Sequence, residues 1–255
     1  MRHFIEELEQ LKTKLLEMSA IVESSIQRSI SAVTQKDRTA AEEVFRTETR
    51  INAIEIEIDE FAINLLALNQ PMAADLRLIV AALKINTDLE RMGDLAVSIA
   101  ERALSLMEGP LITPMIDIPH IAGLVQSMVR KALDAFVHRD ADLARSVLAS
   151  DDAVDSLRTA CYHELTSFME KDPSNIQQAL NLMVVIRNLE RIADHSTNVA
   201  EDVLFLVKGI DVRHPAEVRP SAVADRSECG GAQGYGIFNT WAAHIGYGWV
   251  YSGKT

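Results

Sequence analysis

The chain has 255 residues, a formal net charge of -12 and two cysteines. That length allows ample core for one large domain or two smaller ones, and the negative charge argues against nucleic acid or an anionic membrane surface as a direct partner. Glu6 and Glu7 stand where a secretion signal needs apolar residues, no apolar run is long enough to span a bilayer, and two cysteines make no disulfide framework, so a soluble cytoplasmic protein is expected.

Six helical segments are predicted. The first covers about residues 3–36, where Phe4, Leu8, Leu11, Leu15, Met18 and Val22 alternate by four and three like a coiled-coil seam. Lys36-Asp37 breaks it, and Asp37 can cap the next helix. The second segment runs to about residue 68, with Val44, Ile51, Ile54, Ile58, Phe61, Leu65 and Leu68 along its seam. Asn69-Gln70-Pro71 reads as the N-cap and first-turn proline of the third. That segment runs to about residue 108 on a seam of Leu78, Ala82, Ile85, Leu89, Met92, Ala96, Ile99, Ala103 and Leu106. Gly109-Pro110 stops it, and Pro114 and Pro119 keep the following loop open.

The pattern then restarts. The fourth segment covers about residues 119–138, and Arg139-Asp140 plays the part of Lys36-Asp37. The fifth covers about residues 141–171, with Cys161 expected as a buried thiol on its core face. Asp172-Pro173 makes the second corner, and the sixth segment runs to about residue 208. Equivalent positions lie 103 apart in the second helices (Val44 with Val147, Ile51 with Val154) and 100 apart in the third, so a short deletion separates them. No sustained period-two alternation signals a strand before residue 210. The expected fold is all-α: two tandem antiparallel three-helix bundles at residues 1–110 and 115–210, then an irregular or disordered tail at 211–255. The tail ends in Gly248-Trp249-Val250-Tyr251-Ser252-Gly253-Lys254-Thr255, which matches the phosphate-loop pattern letter for letter. That loop needs a following helix to hold phosphate on its N-terminal amides, so the match reads as chance.

Leu89-Glu90-Arg91-Met92-Gly93-Asp94 in the third segment returns 100 positions later as Leu189-Glu190-Arg191-Ile192-Ala193-Asp194, and Ala100-Glu101 returns as Ala200-Glu201. At 100° per residue, Glu90, Asp94 and Glu101 sit at about 0°, 40° and 20°, as do Glu190, Asp194 and Glu201. Carboxylates one turn apart project together and can share a hard cation, so these six are the candidate metal ligands. The competing reading is the solvated face of an amphipathic helix. Two copies that keep the acids while their neighbours drift weigh against it. Glu55 with Asp59 and Asp151 with Asp155 repeat the spacing on the second helices, as solvated faces or as the rest of a metal shell. All-oxygen sites accept iron, zinc, manganese, calcium or magnesium. His195 follows Asp194 directly, points about 100° away from it, and reads as a surface histidine. No Glu-x-x-His pair, HExxH, CxxC or nucleophile elbow is present, which leaves no catalytic constellation. Three function classes follow: a regulatory adaptor without turnover, a spectrin-like helical scaffold, and a metal-dependent hydrolase or oxidase on a bundle.

The Gln70-Pro71 corner followed by Asp75-Leu76-Arg77-Leu78, the two Leu-Glu-Arg motifs and the segment Val207-Lys208-Gly209-Ile210-Asp211-Val212-Arg213-His214 together resemble the PhoU family over roughly residues 1–214. The resemblance implies two adjacent three-helix bundles in a cytoplasmic negative regulator of the phosphate-starvation response. Its partners would be the high-affinity phosphate ABC transporter and a sensor histidine kinase, and a homodimer is expected. It also implies multinuclear iron or other metal clusters on the outer face, held by E-x-x-x-D motifs that fall here on Glu90, Asp94, Glu190 and Asp194. Two departures stand out. Ala193 occupies the place of the usual second glycine, which a helix interior tolerates, and the tail after His214 is unlike the family.

Overall fold

The structure, a computed structural model, describes residues 2–109 and 116–209. Its elements are α1 (Arg2–Gln35), α2 (Arg38–Asn69), α3 (Ala73–Glu108), α4 (Ile118–His138), α5 (Ala141–Leu148), α6 (Asp151–Lys171), a 3-10 turn (Pro173–Asn175) and α7 (Ile176–Lys208). The described residues contain no strand. No helix among them is long and apolar enough to cross a membrane.

Helices α2, α4 and α5 begin where an apolar seam meets a capping aspartate, whereas α3, α6 and α7 begin without a side-chain cap bond. Leu8, Leu11, Leu15, Met18 and Val22 are all buried, as the alternation of four and three requires. Lys36 turns the chain with a left-handed φ of 56°, and the Asp37 carboxylate accepts from the Ala40 amide at 3.1 Å to start α2. Asp140 repeats this after Arg139, accepting from the amides of Asp142 and Leu143 at 2.9 Å. Asp117 caps α4 on the His120 amide, with Pro119 in the first turn. In each case a side-chain oxygen satisfies amides that the first helical turn leaves orphaned.

Helices α1, α2 and α3 pack on one another, and α4, α5, α6 and α7 form the second group. α3 against α7 and α1 against α4 join the two. Along the α3–α7 seam Lys84 meets Asp202, Asp88 meets Asn198, and Ser98 meets Asn188. Rising numbers pair with falling ones, so α3 and α7 run antiparallel. The pairs Ser98–Asn188 and Asp88–Asn198 are each other's images under the 100-residue offset, which makes the seam an approximate two-fold axis.

Four expectations need correction. Asn69 does not cap α3: α2 continues through it, its side chain turns back to the Leu65 carbonyl at 3.4 Å, and Gln70 ends the helix at a left-handed φ of 43°. Leu68, placed on the α2 seam, is 78% exposed because the inward face steps from Leu65 to Asn69, whose amide reaches Glu7 of α1 at 3.4 Å. Cys161 is half-buried, and lost hydration pushes its thiol pKa up, with Glu164 and Asp117 adding to the effect. The fifth segment is two helices. Ser146 and Ser150 donate their hydroxyls to the Leu143 and Ser146 carbonyls, and the Ser150 amide reaches Val147 at 2.9 Å, tightening one turn at Ala149-Ser150. Gly109 ends α3 as expected. Pro110, Pro114 and the tail at 211–255, with its phosphate-loop-like end, lie outside the described residues.

Candidate metal-binding faces

The repeated motif splits into a buried and an outward half by helical angle alone. Leu89 and Met92 go into the core with Gly93, which leaves Glu90 half-buried and Asp94 exposed. Leu189, Ile192 and Ala193 do the same for Glu190 and Asp194. Gly93 has a packing reason: a Cβ there would lie 3.0 Å from Ile51 Cδ1 on α2. The equivalents in the second half are Ala193 and the smaller Val154, both buried.

The second helices bring further carboxylates to these faces. Asn86 of α3, fully buried, donates its amide to the Asp59 carboxylate at 2.8 Å and to the Glu55 carbonyl at 3.0 Å, tying α2 to α3. Lost hydration raises the Glu55 pKa, and Asp59 and Asp94 raise it further. Glu90 is raised by lost hydration, then by Asp94 and Glu55, against a smaller opposing pull from Arg91. Glu55, Asp59, Glu90 and Asp94 therefore act on one another as a group. The second face groups Asp151 and Asp155 of α6 with Glu190 and Asp194. Lost hydration raises Asp151, Glu190 and Asp194; Asp194 adds to the first two, and Asp155 to all three. Here a cation of the chain's own intervenes: Arg158 lies 3.2 Å from the Glu190 carboxylate and 3.7 Å from that of Asp155.

Glu101 and Glu201 stand apart from these groups. Seven residues beyond Asp94 along α3, Glu101 is about 10 Å further up the axis. It is exposed, 3.5 Å from Arg102. Glu201 lines a groove of about 300 Å³ between α3 and α7, with Lys84, Thr87, Arg91, Asn198 and Asp202. A neighbouring groove of about 570 Å³ runs between Arg91 and Asp94 on α3 and Asn188 and Arg191 on α7.

His195 is a correction. It is 7% exposed, and its Nδ1 lies 2.8 Å from the Asp88 carboxylate, which also accepts from Asn198 at 3.2 Å. Its angle away from Asp194 is as expected, but α3 covers that side of α7. Asp88 and Asn198 do not stand out in the sequence, because nothing in one helix's periodicity says which partner covers its flank.

The donor chemistry of the first face suits a hard cation. All four acids present oxygen, and two amide oxygens beside them, Asn52 Oδ1 and Asn86 Oδ1, are buried without a hydrogen-bond partner. As they stand, no three His, Cys, Asp or Glu side chains among the described residues converge closely enough to hold an ion. Loading would require carboxylates to rotate inward, and each ordered side chain costs up to about 1.5–2 kcal/mol of rotamer freedom.

The PhoU domain family model matches this chain twice, at residues 15–103 and 118–203. A phosphate-specific transport system accessory protein PhoU homolog of Pseudomonas putida is 41% identical over 231 residues, covering 88% of this chain and 90% of that protein. The homolog of the same name from Pseudomonas aeruginosa is 42% identical over 214 residues, covering 84% and 88%. The crystal structure of PhoU from Pseudomonas aeruginosa superposes with a TM-score of 0.79 at 41% identity, covering 81% of this chain and all of that one. The phosphate transport system regulatory protein PhoU from Streptococcus pneumoniae gives 0.76 at 29% identity, covering 82% and 99%.

Proposed function

The chain belongs to the PhoU family, and we propose that it acts as an accessory, regulatory protein of a phosphate-specific transport system. The observation that carries this is the 41% identity with a relative of that name, spread over both halves of the chain. In the finer reading it is a cytoplasmic negative regulator of phosphate uptake and starvation signalling. It works as a homodimeric adaptor between the phosphate ABC transporter and the sensor histidine kinase, by binding rather than by turnover.

Metal belongs to this reading. Glu90 and Asp94 with Glu55 and Asp59 would hold a cation on the first face, and Glu190 and Asp194 with Asp151 and Asp155 on the second. Glu101 and Glu201 would serve as outlying acids on the same helices. A bound multivalent ion, iron or another oxygen-seeking metal, would neutralise the crowded carboxylates and could present open coordination positions to a partner. The chain's residues supply the hard donors and hold them on two rigid helices. The competing scaffold reading leaves both faces solvated and metal-free.

Deleting the gene and following a phosphate-starvation reporter in phosphate-rich medium tests the regulatory reading. Expression should rise, and the wild-type chain supplied in trans should restore repression; a reporter that stays repressed overturns it. Metal analysis of protein purified without chelator separates the adaptor from the bare scaffold, and light scattering tests the homodimer.

A further inference from the structure

The two acidic faces look like copies in the third-helix motifs, yet the second helices supply different chemistry. At the offset of 103 between α2 and α6, Glu55 corresponds to Arg158 and Asp59 to Tyr162, while Asn52 corresponds to Asp155. Each face thus keeps a pair of acids from its second helix, but only one receives a guanidinium among them. Arg158 reaches both sides of its group, Glu190 on α7 and Asp155 on α6. The Tyr162 hydroxyl, in the place of Asp59, donates to the Met183 carbonyl at 3.2 Å and is engaged with backbone. On the first face the basic neighbour is Arg91, which lines the α3–α7 grooves and opposes the rise of the Glu90 pKa more weakly than the neighbouring acids drive it. There the Asp59 carboxylate alone of the acids accepts from Asn86, a neutral amide whose buried oxygen has no partner.

Resting on the metal reading above, we propose that Arg158 is a built-in counter-cation of the α6–α7 face, so that a divalent cation enters the α2–α3 face first and the α6–α7 face only when Arg158 swings aside. The guanidinium and the incoming ion compete for the same oxygens of Glu190 and Asp155. Displacing Arg158 loses two charged contacts and leaves a cation beside a cation. The first face offers the same number of acids with no such contact to break. The halves therefore fill in order.

The experiment is a titration of the full chain, stripped with chelator and dialysed, with manganese(II) alone. Four proteins are compared: wild type, Glu90→Gln/Asp94→Asn, Glu190→Gln/Asp194→Asn, and Arg158→Gln. The α3 pair should weaken the tighter binding step by about tenfold or more, and the α7 pair should leave that step nearly unchanged. Arg158→Gln should bring the second step close to the first. Loss of the tighter step in the α7 pair, or an unaltered second step in Arg158→Gln, overturns the inference while leaving the metal reading intact. No manganese bound by any of the four overturns the metal reading and this inference with it. Circular dichroism of each variant confirms that a lost step is not a lost fold.

Discussion

At the scale of single residues, the Asp88–His195 pair carries the most consequence for stability. Both side chains are buried at the α3–α7 seam, 2.8 Å apart, with Asn198 as the third member. Replacing His195 by Leu would strand the Asp88 carboxylate with one amide donor, and losing a hydrogen bond to a buried charged group costs about 1.5–3 kcal/mol. His195→Leu should fall in that range by urea denaturation, and adding Asp88→Leu should recover much of the loss. If the single change costs under about 1 kcal/mol, water has replaced the histidine and the seam is looser than it looks. A second residue-scale test lies at Gly93. Alanine there gains helix propensity but presses on Ile51, 3.0 Å away. The second half already pairs Ala193 with the smaller Val154. Gly93→Ala should therefore be more stable on an Ile51→Val background than alone, with a coupling of about 0.5–1 kcal/mol in a double-mutant cycle; additive effects would mean Ile51 simply steps aside.

At the scale of elements, the sequence was most readable where one helix's own pattern decides the outcome. The seams of α1 and α3 and the caps at Asp37 and Asp140 depend on local spacing and a single side chain. Asp140→Ala removes an acceptor shared by two amides and should cost about 1 kcal/mol in thermal or urea unfolding. A neutral result would show that the left-handed turn at Arg139 sets the start of α5 without it. Legibility failed where two elements compete for a residue. Asn69 could cap forward or bond backward, and the chain chose backward. The serine pair that tightens the turn between α5 and α6 carries no periodic signal, because both residues are compatible with an unbroken helix. Leu68 fits the α2 seam by a step of three from Leu65, but Asn69 fits it by a step of four, and the structure takes the second. Arg158 shows the same limit at the candidate site: acids at one-turn spacing are visible in a sequence, whereas the arginine on the neighbouring helix that holds them is visible only once α6 lies beside α7.

At the scale of the whole molecule, the duplication could be read from the repeated motif, but the way its halves meet could not, since two similar helices can pair in either sense. Antiparallel pairing of α3 and α7 puts both acidic faces on helices that share one buried seam, so their charge state bears on the stability of the whole described unit. Glu55, Glu90 and Glu190 have pKa values above 4.5, and Asp151 and Asp194 above 3.8, each mainly through lost hydration and then through neighbouring carboxylates. A raised carboxylate binds its proton more tightly folded than unfolded. Without a cation, stability should therefore rise as pH falls from neutral through these raised values, the gain being complete only below the unfolded ones. Glu57 and Asp172 are lowered instead, so their stabilisation is lost on acidification only below 4.5 and 3.8, outside the upper part of this window. Relief of the general net charge of -12 adds to the rise, and the variant Glu90→Gln/Glu190→Gln isolates the local part, because it should flatten the slope while keeping the background. With a divalent cation bound, the sign reverses: protons compete with the ion for the same oxygens, and stability conferred by mass action falls as the ion leaves. Melting temperatures taken stepwise from neutral down to pH 4.5 should thus climb in the presence of chelator and drop in the presence of excess manganese(II). Two curves that climb together would mean that the ion never entered the faces and that the acids are solvated surface.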